Sequence, residues 1–214
     1  MKYLIFSDTH LTQRFDERKF KFLVKISEKA DRVIINGDFW DGYLTTFSGF
    51  VNSEWKILFP RLLAKKAIYI YGNHDSPDLS DNRVSLFSVE QHFQILVKSG
   101  NLNLRIEHGQ EIFRMPDKSF PKLVQKIGTA AHNLLRYYHY RIDKNGYLEY
   151  YRRPNRHFKM ISRSLKKEVL VVGHSHGGEY SEEENFANSG FIDWGYGSYL
   201  TVENDKITFH AEEY

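Results

Sequence analysis

A chain of 214 residues, 41% hydrophobic and 15% aromatic, carries enough apolar material for one packed domain with room for an insertion. It has no cysteine, so disulfides and thiolate metal sites are excluded and any metal must be held by oxygen and imidazole donors. The net charge of +3 conceals a division: Arg114–Lys167 holds 14 Lys/Arg against Asp117, Asp143 and Glu149, a local +11, which leaves 16 basic and 24 acidic residues (−8) elsewhere. No run approaches the roughly 18 consecutive apolar residues of a membrane-spanning helix. The run Tyr3–Phe6 is too short for a secretory leader, and a cytoplasmic location is expected.

In chain order, residues 2–7 read as a buried strand ending at Asp8. Phe20, Leu23, Val24 and Ser27 mark one face of a helix over 16–30. Val33–Ile35 is a second strand, ending in Asn36-Gly37-Asp38. Trp55, Leu58, Phe59, Leu62 and Leu63 recur at helical spacing, with Pro60 expected to kink or shorten that helix. Ala67–Tyr71 is a third strand, ending in Gly72-Asn73-His74-Asp75. Strands alternating with helices predict a largely parallel sheet.

Phe93–Val97 and Leu102–Glu107 read as neighbouring strands around Ser99-Gly100-Asn101. From Phe120 to Tyr138 apolar residues keep a helical period, with Asp117 or Ser119 as cap and Pro121 in the first turn. Asn145-Gly146 reads as a turn, and Phe158, Ile161 and Leu165 as a further helix. Glu168–Val172 is a strand ending in Gly173-His174-Ser175-His176, and the tail is a hairpin about Asn204-Asp205. No linker divides the chain, so residues 1–214 are expected to form a single domain with residues 110–167 as a helical insert.

The ends of the strands carry the chemistry. Five of them finish in a metal-binding residue type: Asp8 and His10, Asp38, Asn73, His108, and His174 with His176. In an open α/β sheet such residues converge beyond the carboxyl ends of the strands. Glycines in the same turns, Gly37, Gly72, Gly109 and Gly173, permit tight backbone there. Hard oxygen donors with neutral imidazoles suit Mn, Fe, Zn or Ni, and a carboxylate between two cations can bridge them. Each piece alone reads as an ordinary turn. On a strand, the alternation of His174 and His176 would put both rings on one face. Five such pieces in this order are what distinguish the chain.

Asp8-Thr9-His10, Gly37-Asp38-Phe39-Trp40-Asp41, Gly72-Asn73-His74-Asp75, His108-Gly109 and Gly173-His174-Ser175-His176 resemble the five blocks of the calcineurin-like metallophosphoesterase superfamily. The resemblance spans roughly residues 1–110 and 168–214. It implies an α/β fold, a four-layer α-β-β-α sandwich with the basic helical insert, and two divalent metal ions, manganese first. On that resemblance Asp8, His10 and His176 would bind one metal, Asn73, His108 and His174 the other, and Asp38 would bridge. His74 would stand near the leaving oxygen as general acid, oriented by Asp41. A metal-activated water would then hydrolyse a phosphoester or pyrophosphate bond. A histidine beside a carboxylate suits protonation of the departing oxygen near neutral pH.

The insert has three readings. It packs its apolar stripe on the body with its charges solvated; or it caps the metal site and grips a phosphorylated, partly apolar substrate through Arg152, Arg153 and Arg156; or it binds nucleic acid, its cations interleaved with aromatics, which, with the resemblance to DNA-repair nucleases of the same superfamily, implies a phosphodiesterase or nuclease. In length and in the placement of this insert the chain resembles bacterial UDP-2,3-diacylglucosamine pyrophosphatases, which implies a nucleotide-lipid substrate and peripheral membrane contact. It departs from them at His74, where that group has arginine, and at Gln110, where it has aspartate. A non-catalytic protein-binding scaffold of the same fold is the alternative from another class.

Overall fold

The computed structural model describes residues 1–113, 121–165 and 167–214. Among the described residues twelve strands, β1 (Tyr3–Phe6), β2 (Arg32–Asn36), β3 (Ile68–Ile70), β4 (Glu90–His92), β5 (Gln94–Ser99), β6 (Leu102–Glu107), β7 (Val169–Val172), β8 (Glu179–Ser181), β9 (Phe186–Asn188), β10 (Ile192–Asp193), β11 (Tyr196–Glu203) and β12 (Lys206–Glu213), make two sheets. The first runs β10-β11-β1-β2-β3-β4, with β12 paired to β11; the second runs β5-β6-β7-β9-β8. Strands β1 to β4 are mutually parallel, as are β6, β7 and β9. The helices are α1 (Glu17–Glu28), α2 (Phe47–Val51), α3 (Phe59–Ala64), α4 (Lys122–Ile142), α5 (Lys144–Arg152) and α6 (Asn155–Ser162).

Side-chain alternation along the strands builds the layers. Leu4, Phe6, Val33 and Ile35 pack against Phe22, Leu23 and Ile26 of α1 and Leu62 of α3. Tyr3, Ile5 and Ile34, on the opposite face, meet Leu104, Ile106, Val169 and Val171 of the second sheet. Leu170 and Val172 turn away from that interface and pack on Phe158 of α6. The result is helix, sheet, sheet, helix, the expected sandwich, and the near-continuous apolar runs of β1, β2 and β7 are those of strands buried on both faces.

Pro60 divides its segment as expected, closing a short 3-10 turn (Glu54–Ile57) and sitting in the first turn of α3. The tail hairpin turns through Asn204 and Asp205, both at positive φ (47° and 67°), the conformation a two-residue hairpin demands. Pro121 is the N-cap of α4 rather than part of its first turn. The caps expected at Asp117 and Ser119 lie outside the described residues. Asn145-Gly146 is no turn: both lie inside α5, because the Asp143 carboxylate accepts from the Gly146 amide at 2.9 Å and so nucleates a helix there.

The insert departs most from expectation. In α4 only Arg136 and Tyr140 are buried, while Leu123, Val124, Ile127, Leu134 and Leu135 are 50–69% exposed. Its apolar stripe therefore does not pack on the body along its length. Tyr140 and Tyr147 meet the body through Phe191 and Tyr196.

Candidate metal centre

The loops after β1, β2, β3, β6 and β7 meet at one rim. His176 Nε2 stands 3.1 Å from Asp8 Oδ1 and 3.4 Å from His10 Nε2. His10 Nε2 is 3.9 Å from both Asp8 Oδ1 and Asp38 Oδ2, and His108 Nε2 is 3.3 Å from Asp38 Oδ2. Among the described residues three groupings converge closely enough to hold an ion: Asp8, His10 and His176; Asp38, His108 and His174; and His10, Asp38 and His74. Asn73 is buried beside them and borders the same cavity. The expected ligand set is thus brought together, with Asp38 common to two groupings.

The backbone is bent to achieve this. Asp8, His10, Asp38, His174 and His176 all have φ between 43° and 62°, a left-handed conformation disfavoured for such residues. His174 and His176 accordingly lie on a loop beyond β7 and not on a strand, so alternation along a strand is not what aims their rings. Gly37, at φ 83°, is required as glycine, since a Cβ there would run into the His108 ring.

Hydrogen bonds fix which atom several of these side chains present to the rim. His108 Nδ1 donates to the Asn36 carbonyl at 2.8 Å, turning Nε2 to Asp38. His174 Nε2 donates to the Phe113 carbonyl at 2.8 Å, leaving Nδ1 for the site. Asp38 Oδ1 accepts from the His74 amide at 2.9 Å, which leaves Oδ2 between His10 and His108. Asp41 stands behind two rings, 3.6 Å from His10 Nδ1 and 3.2 Å from His74 Nδ1, and is itself held by the amides of Tyr43 and Leu44. The Asp75 carboxylate accepts from the Gly72 and Phe39 amides and so holds the Asn73–Asp75 loop.

Burial, together with neighbouring His74, pushes His10 down to about 3, and burial likewise lowers His174 and His176, keeping these rings neutral as metal ligation requires. Burial opposes charge on His108 too, but Asp38 and Asp8 outweigh it and raise that ring to about 10. Against the same burial, His108 and His74 hold Asp38 well below the usual carboxylate range. Asp8 Oδ1 and His108 Nε2 are buried without a hydrogen-bond partner among the described residues. Such atoms are costly unless something else satisfies them. Hard oxygens and imidazoles aimed at one point fit a pair of divalent cations.

Several supporting residues stand outside the five motifs. Lys19 of α1 is buried, donates to the Thr9 carbonyl at 3.0 Å and pairs with Asp193 at 2.7 Å, bracing the Asp8–His10 loop. Ser7 Oγ donates to Asp8 Oδ2 and lies 2.7 Å from Ser189 Oγ. Asn188 donates to the Gly173 carbonyl at 3.1 Å and to Ser175 Oγ at 2.9 Å, tying down the last histidine loop. Arg136 of α4 reaches His176 Nδ1.

Above the centre lies a cavity of about 840 Å³ whose floor includes His10, Asp38, Asn73, His74, His174 and His176. Its walls include Phe113, Val124, Gly128, Tyr150, Tyr151 and Pro154. Of the three insert arginines singled out by charge, Arg153 borders this cavity, Arg152 turns to the Gly178 carbonyl at 3.1 Å, and Arg156 is exposed and does not line it.

A profile described as calcineurin-like phosphoesterase matches residues 1–204. The chain belongs to the calcineurin-like phosphoesterase family. Among solved structures it is similar to YfcE, a phosphoesterase from E. coli, at 18% identity and a TM-score of 0.52, covering 97% of this chain and 91% of that one. A Thermotoga maritima protein is similar at 18% identity and a TM-score of 0.50 over 100% and 99% of the two chains. Vps29 from Entamoeba histolytica is similar at 14% identity and a TM-score of 0.48 over 100% and 99%. No curated protein sequence matches. Among the described residues, no helix is long and apolar enough to cross a membrane.

Proposed function

We propose that this chain is a two-metal phosphoesterase that hydrolyses a phosphoester or pyrophosphate bond in a substrate carrying a bulky apolar group. The observation that carries the reading is the cavity: the candidate metal-binding cluster forms its floor, and Val124, Tyr150, Tyr151 and Pro154 of the insert give its walls apolar surface among polar residues such as Gln125, His132 and Asn133. A pocket of this size and lining suits a ligand with a large buried apolar part and a few fixed polar contacts.

Asp8, His10 and His176 would hold one ion, Asn73, His108 and His174 the other, with Asp38 shared. Two divalent ions bound there would supply Lewis acidity, an activated water and a clamp on the phosphate oxygens. The chain's own residues do the rest. His74, on the cavity floor with its Nδ1 turned to Asp41, would protonate the leaving oxygen through Nε2. Asp41 fixes that tautomer and favours the imidazolium. Arg153, beside Tyr150 on the cavity wall, would engage anionic oxygens distant from the scissile bond. Arg152 and Arg156 would then steer charge from outside. The domain is one unit over residues 1–214, with 110–167 serving as its cap.

Hydrolysis of bis-p-nitrophenyl phosphate and p-nitrophenyl phosphate by metal-stripped protein, with and without added Mn²⁺, tests the reading. Activity dependent on metal and absent in Asp38→Asn is expected. Acylated or prenylated nucleoside diphosphates should then be preferred over their unacylated forms and over DNA. Equal rates on lipidated and plain substrates would refute the role given to the cavity, and full activity in Asp38→Asn would refute the centre itself.

A further inference from the structure

A second cavity, of about 410 Å³, lies beside the first, and Tyr43 and Gln125 border both. It stands on the His74 side of the candidate centre. The Tyr43 ring is 4.4 Å from the His74 ring, and its hydroxyl donates to the Asn73 carbonyl at 3.0 Å. The Gly42 amide donates to the His74 carbonyl at 2.8 Å. Gly42 and Tyr43 thus form a thin partition, with His74 against one side and the second cavity along the other.

The two linings differ. Buried Trp40 and Phe47 make the inner wall of the smaller cavity, and polar groups surround them. Gln13 Oε1, Thr45 Oγ1 and Thr46 Oγ1 gather about Gly49, at 2.9, 3.1 and 3.1 Å from the point a Cβ there would occupy. Thr45 Oγ1 and Trp40 Nε1 are buried without a hydrogen-bond partner among the described residues. An indole donor and a hydroxyl left over in this way are matched by a group that both accepts and donates, as a sugar hydroxyl does. From α4 come Lys122 and Lys126, one helical turn apart and so on one face of the helix. Among the described residues neither lysine forms an ion pair. Asp78 also lines the cavity, and its carboxylate accepts from Ser76 Oγ at 2.6 Å. Two ammonium groups converging on a cleft suit a phosphate.

We infer that the smaller cavity binds the departing half of the substrate, a hydroxyl-bearing group that carries a second phosphate. This is sugar-phosphate chemistry, which hexose phosphates and nucleotides share. Lys122 and Lys126 neutralise the second phosphate, while Gln13, Thr45 and Thr46 take the hydroxyls. The inference rests on the two-metal reading above, in which His74 protonates the leaving oxygen; the group behind the Gly42–Tyr43 partition is then the one that leaves. Each half of the substrate has its own cavity, the apolar half in the larger and the hydroxylated anion in the smaller.

Displacement of labelled orthophosphate from the manganese-loaded full-length chain, followed by equilibrium dialysis on ice, tests this without requiring turnover. The competitors are glucose 1-phosphate, glucose 1,6-bisphosphate, adenosine 3′,5′-bisphosphate and the hydroxyl-free hexane-1,6-diol bisphosphate. In wild type, glucose 1,6-bisphosphate or adenosine 3′,5′-bisphosphate should displace the label at about a tenfold lower concentration than glucose 1-phosphate, the gain from charge-assisted contacts that stay partly solvated. A gain confined to one of these two identifies the source of the sugar phosphate and supports the inference. In Lys122→Gln/Lys126→Gln the ratio should fall to about twofold, the statistical advantage of two equivalent phosphates, and Lys122→Arg/Lys126→Arg should restore it. The ratio compares two ligands on one protein, so a partly unfolded variant does not mimic the result. No advantage of either bisphosphate in wild type, an advantage that survives loss of both lysines, or a diol bisphosphate that binds as well as the sugar would overturn the inference, while retained orthophosphate keeps the two-metal reading. A manganese-loaded chain that holds no orthophosphate would overturn both.

Discussion

Lys19→Met isolates a support that neither metal nor substrate touches. In wild type the Lys19 ammonium has two partners, the Thr9 carbonyl at 3.0 Å and the Asp193 carboxylate at 2.7 Å. Its side chain is 7% exposed, whereas that of Asp193 is 29% exposed. Removing one member of a fully buried pair costs about 3–5 kcal/mol; because Asp193 keeps access to water, roughly 1–2 kcal/mol is the better figure for this pair. The charge-assisted bond to Thr9 adds about 1.5–2 kcal/mol. Methionine retains most of the stem's packing, so a total near 3 kcal/mol is expected, a fall in Tm of roughly 6–12 °C for a domain of this size. Thr9 lies between Asp8 and His10, both at positive φ, so the loosened loop should also bind metal less tightly. Thermal unfolding of metal-stripped wild type, Lys19→Met, Asp193→Asn and the double variant measures the coupling. A Tm change under about 2 °C, or a double variant equal to the sum of the singles, would refute the argument.

His74→Ala should lower turnover by at least about a hundredfold, the usual contribution of a positioned proton donor, with bound metal content nearly unchanged by atomic absorption; loss of metal instead would make the residue structural. Gly37→Ala places a methyl against the His108 ring at a φ of 83°. Strain and overpacking together should cost about 2–4 kcal/mol, seen as a lower denaturation midpoint and a weakened second metal, and a variant as stable as wild type would exclude this. For the metal-free protein, burial lowers His10, His174 and His176 below the ordinary histidine value of 6.5. The unfolded chain then binds more protons than the native one, so their contribution is present above pH 6.5 and is lost as pH falls toward His10's value of about 3. His108, raised to about 10, acts oppositely, its contribution being lost as pH rises through that value. Tm should therefore drop between about pH 6.5 and 4.5, and a flat profile would contradict the burial of neutral imidazoles.

The candidate centre was legible in the sequence because the residues that converge on it come directly after strands that announce themselves as short apolar runs. Val33–Ile35 before Asp38 and Glu168–Val172 before His174 carry both the strand signal and the chemistry at its end. The short strands β4, β8 and β9 were not legible: segments such as Glu90–His92 and Glu179–Ser181 are polar and three residues long, and only pairing with neighbours makes them strands. Asn145-Gly146 misled for the converse reason, since the Asp143 cap outweighs a dipeptide that elsewhere turns the chain. Charge density pointed to Arg152, Arg153 and Arg156, of which Arg153 borders the cavity. Arg152, Arg153 and Arg156 are dense because much of that surface is solvated, whereas Arg136 stands amid the apolar period of α4 and looks like a break in it. A lone cation inside an apolar helical stripe was the available signal.

The left-handed backbone at five positions of the candidate centre sharpens what the surrounding residues are for. Each such residue costs on the order of 1–3 kcal/mol, so the strain at Asp8, His10, Asp38, His174 and His176 would unwind a loop left to itself. Buried contacts of high sequence separation hold the strained loops: Asp8 Oδ2 with the His174 amide at 3.0 Å, the His10 amide with the Asp38 carbonyl at 3.0 Å, Asp38 with the His74 amide, and Asn188 with the Gly173 carbonyl. These bonds tie loops from different strands to one another rather than to their own strands. Strain at one ligand is therefore borne by the loop carrying the next. A single weakened tie should loosen neighbouring ligands as well as its own, and for that reason a lysine on α1, which ligates nothing, is expected to register in metal affinity.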